Sequence, residues 1–293
     1  MTASPVRYDP TARFQVASSD IEYVRHGDIG LLARVYQPNG PGPFPMIIDI
    51  HGGGWKLYDR LRQAAIAEDM AAHGIVWASI DMRLNGRAQY PAAAQDINYA
   101  VRWFKAHARD FNGSADHFGI FGVSSGGHQV IMAALRPKVP DYTAIPLREA
   151  PHVDASVRYV IASGAGVDLI ESLHAGDQFK LDQYMGGVAG VKAHSPQHVI
   201  ESDEIIDTPP MLIVQAGAEK LIGFTTDKVL HFARTYLERR KGNIEVAMFP
   251  DAPHIFINRG LVPESEAMFR ALPVIKHFIA RQLDYLARPF GSS

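Results

Sequence analysis

"DHFGIFGVSSGGHQVIMAAL", residues 116–135, decides how the chain reads. An apolar run, Phe118 to Phe121, meets a cluster of glycines, and a helical apolar pattern begins at Val130. Ser124 lies at the break, between Gly122 and Gly126. A strand that turns at once into a helix needs strained backbone angles at the corner, and bulky neighbours would collide there. Gly122, Gly126 and Gly127 relieve that crowding. The outcome is a hydroxyl raised above a sheet at the start of a helix, the G-x-S-x-G nucleophile elbow in its required strand–turn–helix setting. A serine that merely caps a helix in a tight turn is the plain alternative.

Outward from this corner, apolar strands alternate with helices. Residues 21–26 and 31–36 read as a hairpin of alternating residues. Residues 45–50 and 75–80 read as buried strands, with a helix over 61–73 between them and Gly74 closing it. Residues 91–108 start with Pro at a first helical position, and Ile97, Val101, Phe104 and Ala108 share one face. Further strands are expected at 157–162, 210–216 and 244–250, and helices at 225–240 and roughly 264–286. This alternation predicts a mostly parallel sheet covered on both faces, with an antiparallel amino-terminal edge. Two segments break the rhythm, 137–156 and 164–208. Connections of that length in a compact domain are expected to shape a lid or pocket. The whole chain, 1–293, is expected to be a single domain.

The 293 residues carry 29 Lys and Arg against 31 Asp and Glu, so charge is nearly balanced. That leaves no basic excess for nucleic acid or anionic lipid. No run is long enough to cross a bilayer. The amino terminus lacks the apolar core of a signal peptide. Cysteine is absent, which excludes disulfides, thiol catalysis and cysteine-ligated metal and fits a cytoplasmic protein.

A serine hydroxyl is a poor nucleophile at neutral pH. It needs a base, a group to orient that base, and donors for the oxyanion that forms on the attacked carbonyl. "DIHGGGWKLYD", 49–59, offers the donors: a buried strand ends and three glycines follow His51. The amides of Gly53 and Gly54, with that of Ser125, are assigned to the oxyanion hole. The Gly-Lys-Ser/Thr ending of a phosphate loop is missing, and His51 is read as holding the loop through its ring. The base is expected after the last core strand, where "MFPDAPHIFINRG" supplies His254 in the chain order Ser, acid, His. The orienting acid is assigned to Glu219, in the loop after the strand 210–216. Asp227, Asp251 and Asp168 are rivals, and a surface Glu219 paired with Lys220 is the plain alternative. Trp55, Tyr58, Phe179, Tyr184, Met185 and Phe224 are candidates for lining a substrate pocket, or equally for the core.

Taken together, these motifs resemble the α/β-hydrolase fold, in particular the esterases related to hormone-sensitive lipase and their feruloyl-esterase-like and kynurenine-formamidase-like neighbours. "HGGGW" resembles the oxyanion segment, with Trp55 shared with the formamidase-like side. "GVSSGG" resembles the elbow and "APHIF" the histidine loop. "AHSP", 193–196, resembles a segment before the acid-bearing strand, so His194 and His198 are read as structural rather than as a metal pair. The elbow has Val123 where hormone-sensitive-lipase relatives usually carry an acidic residue, and about twenty residues precede the first strand, too few for their two-helix cap. The resemblance implies a serine hydrolase for a small carboxylic ester, with a formamide or other amide as the alternative. An acyltransferase or lyase, and a non-catalytic binding protein, are more remote readings. Neither metal nor organic cofactor is expected. The partner is a small molecule rather than nucleic acid or membrane, and a homodimer is an option that such folds allow.

Overall fold

The computed structural model describes residues 6, 8–176, 178–258 and 266–283. Eight strands form one sheet in the order β1-β2-β4-β3-β5-β6-β7-β8. The strands are β1 Gln15–His26, β2 Ile29–Asn39, β3 Phe44–Ile50, β4 Val76–Ile80, β5 Gly113–Val123, β6 Tyr159–Ser163, β7 Met211–Ala216 and β8 Ile244–Phe249. β1 and β2 pair antiparallel, as do β2 and β4. Every pairing from β4 through β8 is parallel. The expected mostly parallel sheet with an antiparallel edge is therefore what forms, and it is the strand arrangement of an α/β-hydrolase.

Side chains along a strand alternate between faces, and here both faces are covered. Ile48, Ile120, Val160 and Ile213 enter one apolar cluster with α2 (Ala92–Ala106), α3 (Ser125–Leu135) and α8 (Thr226–Arg240). Ile47, Phe121, Ile161 and Leu212 enter the other with α1 (Ala64–Ala72) and α9 (Glu266–Gln282). Fully burying one such side chain is worth about 1.5–3 kcal/mol, so each central strand ties two layers to the sheet. Double burial goes with near-continuous apolar runs, Met46–Ile48 in β3, Phe118–Val123 in β5, Tyr159–Ala162 in β6 and Met211–Val214 in β7, rather than with alternation.

β3 carries one polar exception. Asp49 is fully buried and accepts hydrogen bonds from Trp77 Nε1 at 3.0 Å, Ser79 Oγ at 2.6 Å and the Gln63 amide. Burial pushes its carboxyl up to about 7 against the pull of those donors.

β1 begins at Gln15, earlier than expected, because its register with β2 continues past the apolar stretch to Gln15↔Asn39. α1 begins at Ala64, not 61; residues 60–63 form turns. The helix expected over 264–286 is seen as α9, and positions 264–265 and 284–286 lie outside the described residues. The segment 137–156 holds turns without helix or strand. The segment 164–208 folds into four short helices, α4 Leu169–His174, α5 Leu181–Met185, α6 Val188–Ala193 and α7 Pro196–Glu201.

Candidate active site

The parallel strands all end at the same edge of the sheet, and four of their following loops meet there. After β5 comes the elbow. Ser124 has φ 56 and ψ −119, a left-handed conformation that is costly for a residue with a β-carbon. It is held from both sides: its N–H donates to the Ser163 carbonyl at 2.8 Å, and its carbonyl accepts the His128 N–H at 3.0 Å. The glycines are needed for contact. A β-carbon on Gly126 would stand 2.1 Å from the Ile50 carbonyl oxygen, and one on Gly122 would stand 2.4 Å from that of Gly126.

After β8, the turn brings His254 over this corner. Ser124 Oγ and His254 Nε2 are 2.9 Å apart. The other ring nitrogen, Nδ1, bonds the Glu219 carboxylate. An ionised carboxylate only accepts, so Nδ1 donates this bond, and in the neutral ring Nε2 keeps its lone pair toward the serine O–H. Glu219 is oriented in turn: its Oε1 accepts the Lys220 and Leu221 amides, both at 2.8 Å, and its side chain is 1% exposed. The alternative of a surface Glu219 paired with Lys220 does not hold. The rivals lie elsewhere: Asp168 caps α4 and faces Lys228, Asp227 bonds Thr225, and Asp251 is exposed.

After β3, the chain runs through three successive residues of positive φ: Gly53 at 114°, Gly54 at 60° and Trp55 at 60°. Gly52 lies against the elbow, for a β-carbon there would meet the Val123 carbonyl oxygen at 2.9 Å. The Gly53 carbonyl turns away to accept the amides of Lys56 and Leu57. Among the described residues the Gly53 and Gly54 amides donate to no backbone carbonyl. Ser125 opens α3, where the first N–H groups have no intrahelical acceptor. His51 is buried, and its Nδ1 pairs with the Gly52 carbonyl at 2.7 Å. Burial lowers its pKa, so it stays neutral at neutral pH and braces the loop.

Of the pocket candidates, Trp55, Phe179 and Phe224 come together. Their ring centroids are 5.4–6.4 Å apart, with Trp55 edge-on to both phenylalanines and the Phe179–Phe224 pair tilted, and Phe224 lies edge-on to His254 at 5.8 Å. Phe179 also lies 3.1 Å from where a Gly54 β-carbon would be. Tyr58 is half in solvent under the Arg62 guanidinium. Tyr184 and Met185 are buried in α5, with Tyr184 edge-on to Tyr90 at 5.8 Å.

The sequence reading missed His128. It is fully buried, its Nδ1 takes the Trp55 indole N–H at 3.1 Å, and its Nε2 pairs with the His194 carbonyl at 2.8 Å. The signal was a polar residue on the otherwise apolar face of a helix four residues past the serine. Burial drives the His128 imidazole down to about 4 and that of His194 down to about 3. Among the described residues no group of three or more His, Cys, Asp or Glu side chains could hold a metal ion, and no helix is long and apolar enough to cross a membrane.

Fold and corner geometry together define an α/β-hydrolase with a serine–histidine–glutamate array. The BD-FAE family model matches residues 34–233, more than half of the chain, and the chain belongs to that family. It is similar to esterase LipQ of Mycobacterium tuberculosis, with 25% identity over 84% of this chain and 59% of the relative. It is also similar to the probable carboxylic ester hydrolase LipM of the same organism, with 30% identity over 48% and 33%. The chain thus spans between a third and three-fifths of the length of these curated relatives. Among solved structures, propionate-bound esterase Est2 of Thermogutta terrifontis superposes with a TM-score of 0.75 and 22% identity, covering 90% of this chain and 94% of that one. Esterase B of Lactobacillus rhamnosis gives 0.73 and 20%, covering 95% and 90%. At these identities the likeness concerns the fold.

Proposed function

We propose that the protein is a serine hydrolase that cleaves a small carboxylic ester through an acyl-enzyme on Ser124. One observation carries the reading: the Ser124 hydroxyl lies 2.9 Å from Nε2 of an imidazole whose Nδ1 bonds a buried carboxylate. That arrangement can accept the serine proton as the oxygen attacks, and the carboxylate stabilises the imidazolium that results.

In this mechanism Ser124 Oγ forms a bond to the ester carbonyl carbon while His254 takes its proton. The negative oxygen is held by the amides of Gly53, Gly54 and Ser125. His254 then passes the proton to the departing alkoxide, and the tetrahedral intermediate collapses to the acyl-enzyme. Water, deprotonated by His254, attacks in the second half and frees the acid. The names of the esterase relatives, LipQ and LipM, agree with this reaction. Phe179, partly exposed and backed by the buried Trp55 and Phe224, would form an apolar wall suited to short acyl or aryl groups. The partner is then a small-molecule ester, and the charge balance of the chain favours neither nucleic acid nor membrane.

A panel of p-nitrophenyl esters of increasing acyl length, run beside N-formyl and N-acetyl arylamines, tests the proposal. Ester turnover that is lost in Ser124→Ala is the expected result. Ester turnover unchanged in that variant overturns it, and turnover confined to the formamide would move the substrate class to amides.

A further inference from the structure

His128 and Trp55 are 73 residues apart in sequence, yet they form a polar link between the helix that starts at the serine and the loop that carries the glycine amides. An indole N–H can only donate, so Nδ1 of His128 must accept it. The ring proton then sits on Nε2 and is donated to the His194 carbonyl. Both nitrogens of a fully buried ring are used, and each has a single role. The backbone N–H of His128 donates to the Ser124 carbonyl. The imidazole is thus rooted one turn from the nucleophile.

Trp55 needs such an anchor. It is 1% exposed and has φ 60, a conformation that bulky residues adopt only when their surroundings impose it. Its ring is bounded by Phe179, Phe224 and His128. The first two contacts are apolar and set no direction along the ring, whereas the hydrogen bond fixes where Nε1 lies. Trp55 directly follows Gly53 and Gly54, whose amides carry no side chain that could lock them.

We infer that His128 is a positioning residue: through the Trp55 indole it sets the Gly53–Gly54 amides at the spacing from Ser124 that the oxyanion requires. The inference rests on the serine-hydrolase reading of the same site. A donor that is present but misplaced loses part of the 10²–10³ in kcat that an oxyanion donor is typically worth. Removing the link therefore lowers kcat roughly tenfold to a hundredfold and leaves KM for a p-nitrophenyl ester nearly unchanged.

The test compares His128→Phe, His128→Asn and His128→Gln with Trp55→Phe. Asn places an acceptor near the position of Nδ1, and Gln places its amide near Nε2. The expected pattern is low kcat in His128→Phe and His128→Gln, rescue to near wild type in His128→Asn, and a Trp55→Phe variant that matches His128→Phe. The double variant is no worse than the poorer single one, as for two residues acting as a unit. Binding of an alkylboronic acid, which mimics the tetrahedral state, weakens in step with kcat, while butyrate binding stays put. A His128→Phe enzyme that melts earlier yet keeps its kcat and boronate affinity overturns the inference, and so does equal impairment of the Asn and Gln variants. If His128→Phe fails to fold, the Asn–Gln contrast and Trp55→Phe decide. Ser124→Ala separates the two readings: activity surviving there removes the serine-hydrolase reading itself, whereas its loss beside an unimpaired His128→Phe removes only this one.

Discussion

Gly217 lies directly against Pro250: a β-carbon on the glycine would stand 2.4 Å from the proline's carbonyl oxygen. The loops after β7 and β8 are seamed at this point, since the Gly217 N–H donates to the Phe249 carbonyl at 2.8 Å and the Ala218 N–H to that of Ala252 at 3.1 Å. Glu219 and His254 sit just beyond the seam, so their pairing depends on it. Gly217→Ala is expected to cost about 1–3 kcal/mol by overpacking, read as a lower urea midpoint, and to reduce kcat more than it raises KM.

Glu219→Gln tests the acid. The amide oxygen of the new side chain can still accept from Lys220 and Leu221, but its NH₂ would face His254 Nδ1 and favour the other tautomer, which puts a proton where the serine's should go. A fall in kcat of about 10³–10⁴ is expected, as for the wrong tautomer in a serine protease triad. Asp168→Asn and Asp227→Asn should stay within about twofold of wild type, because a caps-and-turns role survives the change. A greater loss in either than in Glu219→Gln would reassign the acid.

Stability should depend on pH through three buried groups that act in two opposed directions. Asp49 titrates at about 7 when folded and near 3.9 when unfolded. Across that window the folded state holds a proton that the unfolded chain has released, so this contribution is full below about pH 4 and is lost as pH rises to about 7. His128 and His194, at about 4 and about 3 when folded, act the other way. They refuse a proton that the unfolded imidazole takes near 6.5, so their contribution is present above that value and is lost as pH falls. Asp49→Asn should therefore make stability climb more steeply from about pH 4 to 6.5, by up to about 1.4 kcal/mol per pH unit. His128→Asn should make it climb less. Urea titrations across this range check both, and parallel curves for wild type and Asp49→Asn would count against a neutral buried carboxyl.

Phe179→Ala should open space beside Gly54 without touching the serine–histidine pair. The expected outcome is a shift of the ester-length profile toward longer acyl groups, carried by KM rather than kcat. An unchanged profile would place Phe179 in the wall's support instead of on its surface.

Several of these features could be read in the chain before folding. Ser124 is legible because Gly122, Gly126 and Gly127 mark a strand that meets a helix abruptly, which favours an elbow over a plain helix cap. His254 and Glu219 followed from strand order, but Asp227, Asp251 and Asp168 remained rivals because loop position does not say where a carboxylate points. That depended on the Lys220 and Leu221 amides turning Glu219 inward. The four helices of 164–208 were illegible because each has only five or six residues, too few for a 3.6-residue period to repeat. The beginning of β1 was hidden for a different reason: Gln15 to Asp20 are mostly exposed, and their strand state comes from pairing with β2. His128 shows only as a polar residue on the apolar face of α3, and nothing local names Trp55 as its partner, since the contact joins a helix and a loop that only the sheet brings together.

Gly126 against Ile50 and Gly52 against Val123 are contacts of main chain on main chain. Two turns that meet in this way behave as the fixed jaws of a gauge, with no compressible side chain between them. Change that widens or narrows what the protein accepts is therefore channelled into the aromatic residues around the gap, while the gap itself keeps its measure.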